Sequence, residues 1–372
     1  MNKSIHIISF SIPYPANYGG AIDVYYKIKT LAREGYEITL HCFQYDRKPA
    51  KELQEYCKDV YYYSRKMVGS YLLGFHPFIV SSRKSEELIK NLLKDNAPIL
   101  FEGLHTCYSI GDNRLKDRLK IVRSHNLEHD YYLALAKVER KPIKRMYFKS
   151  ESKKLKRFEA IAYKKANFVL GISQKDTKYL NDKYNNSILV SAFHAFERVN
   201  LPTETEPFAF YHGNLSVGEN DEAAFFLADK VFRGLDHKLV IAGNQPSMHL
   251  KLIVEELNNV DLHENLNSEE INEMIHKARI NVLPTFQSTG IKLKLLAALY
   301  NGGHCLVNKM MVEGTGLESI VKIAKSSNEF KTQVESLMNN SINSEEKSKR
   351  VAILKEFSNT NNVERIINIL SL

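Results

Sequence analysis

The chain has 372 residues, 44% of them hydrophobic and 26% charged, and a formal net charge of +9. That length is long for a single core and comfortable for two domains, and the composition excludes a disordered or fibrous protein. Cys42, Cys57, Cys107 and Cys305 lie scattered without paired spacing, which excludes a disulfide framework or zinc knuckle and implies reduced thiols.

The opening MNKSIHIISFSIPYP has too short an apolar part for a signal peptide and no cleavage site. No stretch approaches the length of a membrane-spanning helix. The expectation is a cytoplasmic protein, peripheral at the inner face of the cytoplasmic membrane if it meets a membrane at all. The first 200 residues carry 35 basic and 21 acidic side chains, a net of +14, and the remainder 17 and 22, a net of −5. An asymmetry of this kind points to one domain meeting an anionic surface or ligand.

In chain order, β-rich apolar runs occur at 5–10, 37–43, 60–63, 99–102, 120–124, 168–172 and 188–193. A second series follows at 208–211, 239–242, 260–263, 280–283 and 304–308. Amphipathic stretches alternate with them, as at 21–33, 85–93, 221–231, 268–277 and 290–300. This alternation predicts parallel sheets covered on both faces, an α/β architecture of two Rossmann-like domains. The polar, proline-bearing segment ERVNLPTETEP at 197–207 marks the boundary. The expected domains are 1–200, 201–357 and a terminal helical segment 358–372, with the strand ends of both sheets facing a cleft between domains.

The first strand runs into a loop with Gly19-Gly20, where adjacent glycines let a backbone approach a phosphate or sugar. The pattern lacks the G-x-G-x-x-G of a dinucleotide site and any G-K-[ST]. At the fourth strand end stand Glu102 and His105. After the fifth come Arg123, His125, Asn126, Glu128 and His129, dense enough in polar groups to face a ligand crevice. His125-x-x-Glu128-His129 also matches the inverted zincin pattern H-x-x-E-H, but His125 ends a strand and no third ligand follows. In the second half Gly213-Asn214 and Gly243-Asn244 end two strands, a pairing of glycine with a small amide that suits a nucleotide laid across the sheet.

Lys141, Lys144, Arg145 and Lys149 belong to a basic stretch, 137–165, interrupted by Met146, Phe148, Leu155, Phe158, Ile161 and Ala162. This is the pattern of an amphipathic helix for an anionic lipid surface, with a merely solvated helix as the alternative. No nucleic-acid module accompanies it. Further on, QSTGIKLKLLAALYNG opens a helix after an apolar strand, with Thr289 and Gly290 at the junction and Lys292 and Lys294 in the first turn. A helix N-terminus favours anions, so two lysines there ask for one.

The ordered set PANYGGA, RSHNLEHDYY, FVLGISQKD, YHGN, VIAGN, NVLP, QSTGIKLKLLAALYNG and HCLVN resembles the GT-B glycosyltransferases, most nearly glycosyltransferase family 4. The resemblance spans essentially the whole chain. It implies a hexosyltransferase using a UDP- or GDP-linked donor bound mainly to the second domain, and a glycan or lipid-linked acceptor on the first. It also implies a final helix that crosses back to the first domain. Carried over, Gly19, Gly20, Gly290 and Ile291 would contact the donor, and His125 would sit near the transferred sugar. Where the family has two glutamates eight residues apart, this chain has Thr289 and Ala297. The family's basic pair after the first strand of the second domain is replaced by Asn214-Leu215-Ser216, and Lys292 and Lys294 would supply the missing positive charge.

The resulting expectation is a metal-independent, retaining transferase for a cell-surface polysaccharide or glycolipid, with no cofactor and no Asp-x-Asp pair to hold a metal. An inverting enzyme would need a carboxylate base, for which Glu102, Glu128 and Asp130 are the candidates. The rival readings are a non-catalytic scaffold of a glycan assembly machinery, a sugar-nucleotide epimerase and, last, a zinc hydrolase.

Overall fold

A computed structural model describes residues 3–45, 47–67, 69, 74–139, 141–286 and 292–372. The chain divides into two compact units, Met1–Ala195 with Asn359–Leu372, and Phe196–Ser358. Each is a parallel sheet with helices on both faces.

Unit 1 contains strands β1 (Ser4–Ser9), β2 (Glu37–Gln44), β3 (Asp59–Ser64), β4 (Ile99–Glu102), β5 (Lys120–Ser124), β6 (Phe168–Gly171) and β7 (Ser187–Leu189). Their order is β3-β2-β1-β4-β5-β6-β7, and every pairing is parallel. Its helices include α1 (Gly19–Arg33), α2 (Phe78–Ser81), α3 (Glu86–Leu92), α4 (Glu128–Val138), α5 (Pro142–Lys165) and α6 (Gln174–Tyr184). Helix α1 forms because Val24, Ile28 and Leu31 recur at helical spacing, and it ends where Gly35 adopts a φ of 82°. That stripe packs on one sheet face beside Val363, Ile366 and Ile369 of the helix Asn359–Leu370. Leu155, Phe158 and Ala162 of α5 cover the other face. Each such large apolar side chain contributes roughly 1.5–3 kcal/mol on full burial.

Unit 2 has strands β8 (Glu206–His212), β9 (Lys238–Ala242), β10 (Val260–His263), β11 (Ala278–Val282), β12 (His304–Val307) and β13 (Lys322–Ile323), in the order β10-β9-β8-β11-β12-β13. Its helices include α7 (Gly218–Phe225), α8 (Met248–Glu255), α9 (Ser268–Lys277) and α10 (Leu293–Asn301). A capping box starts α9, with the Asn267 side chain accepting from the Glu270 N–H and Glu270 accepting from the Asn267 N–H.

In both sheets the strand order reverses beside the first strand, between β1 and β4 and between β8 and β11. Such reversal points, at the carboxyl ends of the strands, are where open α/β sheets bind ligands. The structure departs from the sequence pattern in three places. The run 188–193 is a strand only to Leu189, because Arg123 draws the Val190 and Ser191 carbonyls while Asn362 and Asp23 accept from the Ser191 and Phe193 amides. The two residues of β13 are too few to show a period. Helix α10 begins at Leu293 with Lys292 as its N-cap residue, later than Gly290. Thr289, Gly290 and Ile291 lie outside the described residues.

Candidate functional site

Each unit gathers its chemistry at its own reversal point. In unit 1 the centre is a fully buried set of charges. Lys27, one turn after Asp23 on α1, holds Asp23 Oδ2 at 3.0 Å and Glu102 Oε1, at the end of β4, at 2.7 Å. Arg123 on β5 grips both Asp23 oxygens at 3.1 Å. His125, one residue past β5, points Nε2 at Glu102 Oε2 (3.0 Å) and Nδ1 at Asp23 Oδ2 (3.5 Å). Burial raises the carboxyls of Asp23 and Glu102, but the cations around them overcome it and hold both below the ordinary carboxylate range.

This geometry corrects the expectation for Glu102. With no exposure and with its oxygens taken by Lys27 and His125, it positions His125 and does not meet a substrate as a base. His125 Nε2 is engaged with Glu102. Gly103, at a φ of 74°, turns the chain after β4, and a Cβ there would lie 3.1 Å from His105 Nδ1 and 3.4 Å from His125 Cδ2.

Asp23, Glu102 and His125 are close enough to share a cation. Two carboxylates already matched by Lys27 and Arg123 leave no net negative charge to attract one. The H-x-x-E-H pattern does not assemble. His125 turns into this cluster, whereas His129 on α4 pairs Nδ1 with Glu159 and sits 3.5 Å from Asp130. Burial, with Glu159 second, pushes the Glu128 carboxyl up to about 8, so it carries its proton at neutral pH and serves poorly as a base.

Gly19 and Gly20 open α1, whose first turn carries no acidic residue and whose N-cap residue, Tyr18, makes no side-chain cap bond. A Cβ on Gly20 would approach Phe10 Cζ to 2.6 Å, so glycine also serves the packing there.

In unit 2 the lysines turn inward. Lys294 Nζ donates to Asn220 Oδ1 (3.0 Å) and to the Tyr211 hydroxyl (3.3 Å) and lies 4.9 Å from the centre of the Tyr211 ring. Lys292 Nζ is 3.7 Å from Glu219 Oε1, and Glu219 also accepts from the Thr285 hydroxyl. Burial, in spite of Glu219, pushes the Lys294 ammonium down to about 8; burial also lowers Lys292. His212, at the end of β8, is held down to about 3 by burial and then by Lys294, and its Nε2 has no partner among the described residues. The end of β8, the start of α7 and the start of α10 thus converge on two ammonium groups with one carboxylate between them.

Glu219 and Asn220 do not stand out in the sequence, where Tyr211 and His212 appear only as part of the strand-end motif YHGN; a Glu in the first turn of α7 reads as an ordinary helix start. The amide and glycine pairs at the strand ends have local tasks. Asn214 Oδ1 accepts from the Ser216 N–H and hydroxyl. Gly213 and Gly243 extend the ladder through their amides, and a Cβ on Gly243 would strike the Gly213 carbonyl.

The basic stretch divides in two. Leu155, Phe158 and Ala162 are core, while Val138, Ile143 and Met146 stand 75%, 83% and 71% exposed around the turn between α4 and α5. Lys141 is the N-cap residue of α5. Lys144 pairs with Glu139 at 3.0 Å, Arg145 donates to the Glu139 carbonyl, and Lys149 lies exposed one turn on. No described helix is long and apolar enough to cross a membrane.

Residues 206–340, most of unit 2, match the family described as glycosyl transferases group 1. Over its whole length the chain has the fold of known glycosyltransferases. TarM superposes with a TM-score of 0.72 at 12% identity, covering 100% of this chain and 99% of that one. The second unit of this chain carries a group 1 glycosyltransferase domain, and the chain as a whole has the GT-B fold. A structure of a mutant S. aureus TarM in complex with Fondaparinux, alpha-GlcNAc-glycerol and UDP matches over 100% of both chains, with a TM-score of 0.70 and 11% identity. Sucrose-phosphate synthase from Thermosynechococcus elongatus matches at 0.67 and 13%, over 99% and 98%. An uncharacterized 44.6 kDa protein in the cps region of Klebsiella pneumoniae is 27% identical over 333 residues, 84% of each chain. The glycosyltransferase is nucleotide-sugar dependent, as its group 1 domain implies.

Proposed function

We propose that this glycosyltransferase moves a hexose from a UDP- or GDP-linked donor to a growing cell-surface polysaccharide or glycolipid, with retention and without a metal. In this reading unit 2 holds the donor and unit 1 the acceptor. The observation that carries it is the inward turn of Lys292 and Lys294, at the start of α10, onto the end of β8 and the start of α7. Two ammonium groups that face Glu219 alone carry an excess positive charge that a diphosphate would neutralise. As the bond from the anomeric carbon to the leaving phosphate breaks and the acceptor oxygen bonds that carbon, its proton passing to the departing diphosphate, charge grows on the diphosphate where these lysines lie. They perform the service a divalent ion would otherwise supply.

The Staphylococcus protein's complex with UDP and the Klebsiella relative's place in a cps region support the donor class and a capsule-type product. Incubating the full chain with UDP- and GDP-hexoses and glycan acceptors, then assigning the product linkage by NMR, tests the reading. A glycoside with the donor's anomeric configuration is expected; the opposite configuration, or no transfer from any donor, contradicts it.

Nucleotide affinity is expected to fall as pH rises through about 8, because Lys294 then loses its proton unless bound diphosphate retains it. Calorimetric titrations between pH 7 and 9 would show this as a fall in affinity with proton uptake on binding. A flat profile contradicts it.

The exposed Val138, Ile143 and Met146, ringed by Lys141, Lys144, Arg145 and Lys149, support docking on an anionic membrane surface. Sedimentation with vesicles containing anionic phospholipid is expected to weaken with salt and with I143E/M146E. Binding indifferent to lipid charge and ionic strength contradicts this.

A further inference from the structure

Besides the Asp23–Arg123 network, unit 1 holds a second group of charges at the carboxyl edge of its sheet, and among the described residues these cations have no carboxylate counter-ion. Arg65 directly follows β3, Tyr45 follows β2, Phe10 follows β1 and His105 lies just past β4. Arg83 comes from the loop after α2. The guanidinium carbons of Arg65 and Arg83 lie over the one Tyr45 ring, 4.5 and 5.7 Å from its centre. Among the described residues neither has a carboxylate within ion-pairing distance.

Arg83 is almost wholly buried. Its Nε and Nη2 donate to the Phe10 carbonyl at 3.1 and 3.0 Å and its Nη1 to the Ile79 carbonyl at 2.6 Å. These bonds occupy three of its five N–H groups and neutralise none of its charge. Arg65 donates from Nε to Ser82 Oγ at 3.1 Å, and its guanidinium lies against the faces of Tyr45 and Phe78. Burial, then Arg65, pushes Arg83 down to about 9, so it stays cationic at neutral pH. Glu128, on whose carboxyl Arg83 bears, is protonated there, for the reasons given above. Among the described residues, His105 Nδ1 is buried without a partner in the same neighbourhood, where the charges of Arg83, His125 and Arg65 all bear on its ring. A purely structural clamp would need one arginine and its carbonyls. A second arginine stacked on the same ring, with no carboxylate within ion-pairing distance of either among the described residues, costs electrostatic energy that a bound anion would recover.

We infer that Arg65 and Arg83 form an anion site on unit 1 that takes the phosphate or carboxylate of a charged sugar. This rests on reading unit 1 as the acceptor side. The fork of guanidinium donors matches both oxyanions. The acceptor is therefore an anionic glycan unit, either phosphorylated or a uronate, and the neutral sugar alone binds poorly.

The test is ligand-observed NMR on the full chain saturated with UDP and GDP, so that unit 2 does not capture the probe. Glucose 6-phosphate, glucuronate and glucose are offered separately. At least one of the two anionic sugars is expected to bind, in a salt-sensitive manner, and glucose not. Phosphate and carboxylate are distinguished by which probe binds more tightly. R65Q is expected to weaken that binding about 10-fold or more, with nucleotide affinity and the melting transition unchanged; R83Q, at a buried position, is the second variant and is expected to do at least as much. Equal binding of all three sugars, binding of none, or R65Q and R83Q variants that bind as the parent does would overturn the inference. Loss of nucleotide binding with sugar-phosphate binding intact would instead count against the donor reading of unit 2 and leave this site standing.

Discussion

Replacing Lys294 with Met is expected to lower turnover about 100- to 1,000-fold, the size seen when one preorganised charge donor is removed from a leaving group. Lys294 holds its position through Asn220 and Tyr211 and has no carboxylate bonded to it among the described residues, so its charge is available to a diphosphate. Lys292 is partly matched by Glu219 at 3.7 Å, and K292M is expected to cost less, about 10-fold. Stability should move the other way. An ammonium pushed down to about 8 by burial is a charge the fold holds at a cost, so K294M should melt at the same temperature or higher. Steady-state rates beside thermal melts separate the two effects. A variant that loses activity only in proportion to lost folded protein would give Lys294 a structural role alone.

The second large effect lies in unit 1. D23A is expected to destabilise the chain by about 3–5 kcal/mol, because it strands the guanidinium of Arg123 and the ammonium of Lys27 in a dry interior. It also removes the acceptor for the Phe193 amide, which helps hold the segment after β7 in place. Denaturant unfolding followed by circular dichroism would show an early loss of about half the structure, since the two units need not unfold together. A midpoint unchanged from the parent would mean that water reaches these groups.

The pH dependence has a definite sign. Asp23 and Glu102 are depressed in the folded state, so their contribution is fully present above their unfolded values of 3.8 and 4.5 and is lost as pH falls toward the depressed ones. Stability from this cluster should therefore be flat from neutral pH to about 5 and decline only in stronger acid.

Much of this architecture is legible in the residues because buried parallel strands are near-continuous apolar runs. The alternation of strands with amphipathic stretches, read from sequence, matches two parallel sheets. What eludes the sequence is charge that folds inward. Asp23 and Lys27, spaced four apart on a helix, have the form of a solvent-facing pair, and nothing local tells that β4 and β5 will close over them. Glu102 was visible, but its partner Lys27 lies 75 residues away, so its burial and its role in holding His125 were not. Arg65, Arg83 and Tyr45 sit after or between different strands and meet only because the sheet order brings β1, β2 and β3 side by side. Lys292 and Lys294 stood out because cations at a helix start oppose its dipole, an energetic conflict that one sequence can display. The end of the run at 188–193 eluded it for the opposite reason: its apolar pattern is that of a strand, and side chains from three other elements claim its backbone.

The claim on which the rest depends is that unit 2 binds a nucleoside diphosphate through Lys292 and Lys294. Calorimetric titration of the full chain with UDP and with GDP at pH 7 tests it most directly, beside the same titration of K292M/K294M. One nucleotide is expected to bind at one per chain, and the double variant to bind it at least 100-fold more weakly while melting as the parent does. No heat with either nucleotide, or a double variant that binds like the parent, would contradict the account.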